Sequence, residues 1–205
     1  MTTLLVIAKE PRPGQVKTRL TPPFTPAEAA ALAEAALADT LHAVAATPAR
    51  RRVLVLDGET GPWLPPGFDV VPQCAGGLDQ RLAAAFGDCD GPALLIGMDT
   101  PQLTPDLLAV DFDRNDAHIG LAEDGGFWAL GLAEPDPGLL RGVPMSTHTT
   151  GAVQRDRLVA AGLRVRELPV LRDVDTAADA EAVASTAPHS CFASELARLR
   201  AVGDR

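Results

Sequence analysis

Four stretches of this chain hold residue types whose spacing could do chemistry. The first is Lys9 to Leu20, KEPRPGQVKTRL, in which Lys9, Arg12, Lys17 and Arg19 face only Glu10 between positions 9 and 19, a net +3 in a chain whose formal charge is -9. Cations gathered around a glycine that permits close backbone approach suit phosphate oxygens, and each charge-assisted hydrogen bond contributes roughly 1.5–3 kcal/mol. It is not a Walker A loop, because Gln15 and Val16 separate Gly14 from Lys17-Thr18. The second stretch ends the apolar run Ala93-Leu94-Leu95-Ile96 with Asp99. The third is Asp173-Val174-Asp175-Thr176, where an aspartate could cap the following helix or could bind a cation. Two ionised carboxylates about 4 Å apart repel by on the order of 4 kcal/mol at an effective dielectric of 20, so Asp99 and Asp175 brought together require a cation between them. Magnesium suits such a pair, with Asp173 in reserve. The fourth is Glu123-Asp124-Gly125-Gly126-Phe127-Trp128, where the glycines would admit a second substrate to the backbone, Asp124 would accept its hydrogen bonds and Trp128 would wall it. Ser146 and Thr147, in the hydroxyl-rich run to Thr150, could add polar contacts.

These residues need a scaffold that delivers them to one place. Ala93 to Ile96 reads as a strand buried on both faces of a helix-covered sheet, and ligands bind at the carboxyl ends of such strands. Further strands are expected at Thr3 to Ala8, Arg52 to Leu56, Phe68 to Val71 and Arg164 to Leu168, with a hairpin of His118 to Ala122 and Phe127 to Leu132. Helices are expected from the Thr25/Glu28 capping box to about Ala46, and over Leu78 to Phe86, Thr150 to Ala161, Thr176 to Ala184 and Cys191 to Val202, with Thr104 and Pro105 opening a further one. Strands alternating with helices give an α/β fold of three layers, α/β/α, with a mainly parallel mixed sheet. No linker or repeat divides residues 1–205, so one domain is expected.

Composition narrows the classes of partner. The charge of -9 argues against nucleic acid or an anionic membrane surface as the main partner. Cys74, Cys89 and Cys191 lack metal-ligand spacing and are expected to be small, reduced core residues. The opening MTTLLVIAKE has no basic region ahead of its short apolar run, so neither a signal peptide nor a membrane span is expected there, and a cytoplasmic location is. His42, His118 and His189 have no partner visible in sequence and are expected to be structural.

In order, AKEPRPGQVKTRL after the first strand, GMDTPQL, AEDGGFWALGL and LRDVDTAAD make the chain resemble a bacterial family of GT-A-fold proteins described as glycosyltransferases of the nucleotide-diphospho-sugar transferase superfamily. The likeness runs to about Ala184. More distantly the chain is similar to guanylyltransferases that act on 2-phospholactate or phosphoenolpyruvate. The resemblance implies a nucleotide over the C-terminal sheet edge, its phosphates met by Gly14, Lys17, Thr18 and Arg19, with Ala8 and Lys9 at the end of the first strand beside it. It implies a metal, Mg2+ or Mn2+, on Asp99 and Asp175, and contacts to the base or phosphates from Gln73, Gly77 and Arg81. In this chain the usual Asp-x-Asp pair is reduced to Asp99 alone.

Three functions follow as expectations. In nucleotidyl transfer, Lys17 and Arg19 stabilise departing pyrophosphate while a small phosphorylated acceptor attacks the α-phosphate of a nucleoside triphosphate. In glycosyl transfer, a nucleotide-sugar is the donor, and Asp124 or Glu123 deprotonates an acceptor hydroxyl, with Glu123, Asp124, Gly125, Gly126, Trp128, Ser146 and Thr147 forming the acceptor side in either case. The third is a nucleotide-binding protein without catalysis. A basic loop ahead of the first helix suits a triphosphate, which favours the first. A homodimer is a possible assembly.

Overall fold

The structure, a computed structural model, describes residues 1–203. Seven strands form one sheet: β1 Thr3–Lys9, β2 Arg51–Asp57, β3 Asp69–Pro72, β4 Ala93–Ile96, β5 Ala117–Ala122, β6 Phe127–Leu132 and β7 Val165–Leu171. Their spatial order is β3-β2-β1-β4-β6-β5-β7. All neighbours pair in parallel except those involving β6, which runs antiparallel to β4 and, across the expected hairpin, to β5. The helices are α1 Pro26–Ala46, α2 Leu78–Gly87, α3 Pro105–Leu108, α4 Thr150–Ala160, α5 Ala177–Thr186 and α6 Cys191–Gly203.

The apolar strands are buried from both sides because side chains alternate between faces. From β1, Leu4, Val6 and Ala8 pack with Leu54, Leu94 and Trp128 beneath Leu37, Leu41 and Val44 of α1. Leu5, with Val53, Leu95 and Leu130, points the other way onto Leu82 and Phe86 of α2 and Leu158 of α4. A third cluster joins Leu32 and Ala36 of α1 to Val183 of α5 and to Phe192 and Leu196 of α6. By length and composition α1 could cross a membrane, yet 56% of its most apolar 18-residue stretch lies buried in the fold. Its apolar face is occupied by the sheet.

Helix starts follow local chemistry. Thr25 Oγ1 accepts from Glu28 N while Glu28 reaches back to Thr25 N, which is the expected capping box. Thr104 precedes α3 without a side-chain cap. β7 runs three residues beyond the expected Leu168, because it pairs in parallel with β5 and Glu123 N donates to Leu171 O at its end. Two cysteines differ from expectation: Cys74 and Cys191 are exposed, whereas Cys89 is half-buried against the cluster of Val53, Leu82 and Phe86, and all three are free thiols. His118 is buried, with Nε2 2.9 Å from Asp111 O and its ring edge-on to Phe112.

Candidate functional site

The C-terminal ends of β1, β4, β5 and β7 converge on one edge. The loop after β1 turns at Gly14, where φ is +75°, and again at Lys17, whose backbone is left-handed at φ 48° and ψ 39°. A 3-10 turn, Thr18–Leu20, follows. Between these turns the backbone N–H groups of Gly14, Val16, Lys17, Thr18 and Arg19 donate to no partner among the described residues. Successive free N–H groups in a turn of this kind make an anion-binding concavity.

The Lys17 side chain lies inward, only 7% exposed. Its Nζ sits 2.9 Å from Asp99 Oδ1 and 3.2 Å from Asp175 Oδ1, while Arg19 Nη1 sits 3.0 Å from Asp175 Oδ2. Burial acts to lower the Lys17 pKa, but the charges of Asp99 and Asp175 outweigh it and hold the ammonium above the usual lysine range. The two carboxylate loops are also tied directly, Val174 N donating to Asp99 O at 3.0 Å. Asp99 and Asp175 are therefore brought together as the sequence required, and the cation between them in this structure is Lys17.

Both aspartates before α5 are free of capping duty. Thr176 takes it, its Oγ1 accepting from Asp179 N while Asp179 closes the box on Thr176 N. Asp173 and Asp175 join Asp124, from the β5–β6 turn, in a trio in which one carboxylate oxygen from each residue lies within 4.8 Å of those from the other two. Asp99 stands outside that trio. Burial, then the charges of Asp124 and Asp175, push the Asp173 carboxyl up to about 6. Since this lies above the ordinary aspartate value of 3.8, the contribution of Asp173 to stability is fully present below about pH 4 and is lost as pH rises to about 6. Asp173→Asn is accordingly expected to match the parent chain at pH 4 and to exceed its Tm by roughly 2–4 °C above pH 6, read by thermal melts across that range.

Two cavities meet here. One, about 280 Å3, is lined by Lys9, Gln15, Val16, Lys17, Thr18, Arg19, Met98, Asp99 and Asp175. The other, about 260 Å3, has an apolar floor of Ile7, Leu82, Leu95 and Phe127, with Asp124, Ser146, Thr147 and Thr150 as polar groups on its wall. Lys9, Met98 and Asp99 line both. Ala8 and Gly126 line the second cavity only.

Other expected site residues sit elsewhere. Trp128 is turned to the opposite face of the sheet, buried over Gly120 with Nε1 donating to Pro169 O; because neighbours on a strand alternate, Phe127 reaches the cavity in its place. Glu123 is engaged by Arg172 at 2.6 Å. Gln73 Nε2 donates to Ala8 O and Val55 O, and Arg81 donates to Gln73 Oε1, Asp57 Oδ2 and Gly76 O, so both brace the β1–β2 edge rather than line the two joined cavities. Gly77 is the N-cap of α2. Thr150, from the hydroxyl-rich run, lines the cavity as expected, whereas Met98, Phe127, Leu82 and Met145 line it without having been given a role from sequence. Phe127 was detectable from strand alternation beside Trp128; Met145 and Leu82 carried no signal beyond apolarity.

Gly125 is held by geometry. Its φ is +91°, a Cβ there would lie 1.9 Å from His148 O, and its own carbonyl accepts from Gly151 N at 2.8 Å. Gly125→Ala is expected to lose about 3 kcal/mol or more, measured by denaturant unfolding, because the hairpin must part from the start of α4.

A bacterial protein family described as "Uncharacterized protein conserved in bacteria (DUF2064)" matches residues 29–147, more than half of the chain. The chain belongs to this family. The match leaves out the basic loop and the Asp173/Asp175 segment of this DUF2064 protein. Its fold is similar over 98% of its length to 96% of a "putative nucleotide-diphospho-sugar transferase" from Desulfovibrio desulfuricans G20, at 26% identity and TM-score 0.87. It is similar, at 16% identity and TM-score 0.54, to 2-C-methyl-D-erythritol 4-phosphate cytidylyltransferase from Thermus thermophilus, covering 92% of this chain and 100% of that one. Rv0371C of Mycobacterium tuberculosis H37Rv, in complex with manganese, matches at 22% identity and TM-score 0.53, covering 89% and 96%. No curated protein sequence matches. The DUF2064 protein thus shares the fold of the nucleotide-diphospho-sugar transferases, in agreement with the resemblance carried by its four motifs.

Proposed function

We propose that this protein transfers a nucleotidyl group from a nucleoside triphosphate to a small phosphorylated acceptor, releasing pyrophosphate. The observation that carries the reading is the pair of cavities sharing Lys9, Met98 and Asp99. One is rimmed by three cations and by free backbone N–H groups, which suits a polyphosphate; the other joins an apolar floor to hydroxyls, which suits an organic group. A phosphorus atom at the shared wall is within reach of groups in both.

In this reading an acceptor phosphate oxygen bonds to the α-phosphorus as the bond to the bridging β-phosphate oxygen breaks. Lys17 and Arg19 meet charge developing on pyrophosphate, and Lys9 and the loop N–H groups hold the outer phosphates. No side-chain nucleophile takes part. Ser146, Thr147 and Thr150 orient the group in the second cavity.

The donor set of Asp124, Asp173 and Asp175 fits a hard divalent ion, since it offers oxygens alone at close spacing and leaves Asp173 burdened by its like-charged neighbours. Asp99, across Lys17 from Asp175, would complete its surroundings. Mg2+ or Mn2+ bound there would neutralise phosphate charge. The manganese complex of the M. tuberculosis neighbour supports an ion of this kind.

A second reading, glycosyl transfer from a nucleotide-sugar, is favoured by the name of the D. desulfuricans neighbour. There Asp124 would take a proton from the acceptor hydroxyl. Incubating the protein and Mg2+ with nucleoside triphosphates and phosphorylated alcohols or acids is expected to yield pyrophosphate. Release of a nucleoside diphosphate from a nucleotide-sugar, with no pyrophosphate from any triphosphate, would overturn the first reading in favour of the second.

A further inference from the structure

A separate set of metal-ligating atoms lies where α6 meets α1. Asp39 and His42 are three apart on α1 and so share a face, and Cys191 opens α6. One carboxylate oxygen, one imidazole nitrogen and the thiol sulfur of these residues all lie within 4.8 Å of one another. A tetrahedral ion with bonds of about 2.0–2.3 Å needs neighbouring ligand atoms roughly 3.3–3.8 Å apart, a gap that side-chain rotation closes. We infer that Asp39, His42 and Cys191 form a second cation site, for a thiophilic divalent ion of the zinc class, that pins α6 to α1.

The surroundings support this over other uses. Asp39 Oδ1 and Oδ2 accept from Cys191 N and Phe192 N, each at 2.8 Å, which fixes the carboxylate on the α6 end and leaves a lone pair on each oxygen. Ligating carboxylates are ordinarily held by such bonds. The His42 ring is exposed on α1, with one of its nitrogens inside this group. A cysteine–histidine–aspartate hydrolytic triad is disfavoured, because the backbone N–H groups of Cys191 and Phe192 that would serve an oxyanion are taken by Asp39. Mixed sulfur, nitrogen and oxygen donors select zinc over the hard ions suited to the acidic trio. The three ligands leave a fourth position open, beside a cavity of about 690 Å3 lined by Ala35, Ala38, Trp63, Ser190, Cys191 and Arg198.

Cobalt(II), which reports thiolate ligation in its absorption spectrum, is the probe. Titrating the chelator-treated full-length chain with cobalt chloride is expected to give a thiolate-to-cobalt charge-transfer band that saturates at about one ion per chain. Cys191→Ser should abolish it, His42→Ala should weaken binding by at least about 10-fold, and Cys74→Ala and Asp173→Asn should leave it intact. Zinc should displace the cobalt and raise the Tm of the parent chain but not of Cys191→Ser. A band that survives Cys191→Ser, or no band in the parent chain, would overturn the inference.

Discussion

Replacing Lys17 with methionine is expected to lower turnover by roughly 100- to 1,000-fold while leaving the protein folded, because the ammonium is worth about 3–4 kcal/mol to a developing phosphate charge in a preorganised site. Methionine keeps the apolar stem, which matters for a side chain only 7% exposed. Asp99 and Asp175 lose their shared cation, but at 40% and 29% exposure both can hydrate, so the stability loss should be small beside the catalytic one. Lys17→Arg retains charge without restoring full activity, since a planar fork replaces a point charge at a left-handed backbone position. Steady-state pyrophosphate release with circular dichroism on each variant checks this; turnover reduced less than about tenfold in Lys17→Met would remove lysine from the account.

Asp175→Asn is expected to be comparably severe for a different reason. Asp175 belongs to the acidic trio, accepts from Arg19 and faces Lys17, so its charge organises both sides of the site. Turnover should fall at least about 100-fold, and stabilisation of the protein by Mg2+ or Mn2+ should disappear with it. Asp99→Asn provides the contrast. Asp99 stands outside the trio but at the shared wall of the two cavities, so its loss should depress turnover while the ion still raises Tm. Melting curves with and without ion, on the same samples used for kinetics, separate the two roles; ion-dependent stabilisation lost in Asp99→Asn but kept in Asp175→Asn would reassign the ligands.

Much of the scaffold was legible because its signals are local. The alternation of Leu4 to Ala8 between two helix layers, and the Thr25/Glu28 box, need no distant partner to be recognised. The net +3 loop stood out against an acidic chain. What stayed hidden depends on the third dimension. Sequence demanded a cation between Asp99 and Asp175 but could not say that Lys17, folded inward from a left-handed turn, would supply it. Asp124 reaches Asp173 and Asp175 only because β5 pairs in parallel with β7, a contact between segments far apart in the chain. The choice of Phe127 over Trp128 turned on which face of β6 looks toward the cavity, and a shift of one residue reverses it. Gln73 and Arg81 carried polar groups suited to a ligand, and the structure engages them with each other, with Asp57 and with the backbone.

The most direct measurement is isothermal titration of the full-length chain with nucleoside triphosphates in the presence and absence of Mg2+. At least one triphosphate is expected to bind at one site with a Kd of about micromolar order, requiring the ion and losing at least about tenfold in affinity in Lys17→Met and Asp175→Asn. No heat of binding with any triphosphate, or affinity unchanged in both variants, would contradict the claim that the basic loop and the acidic edge together hold a nucleotide.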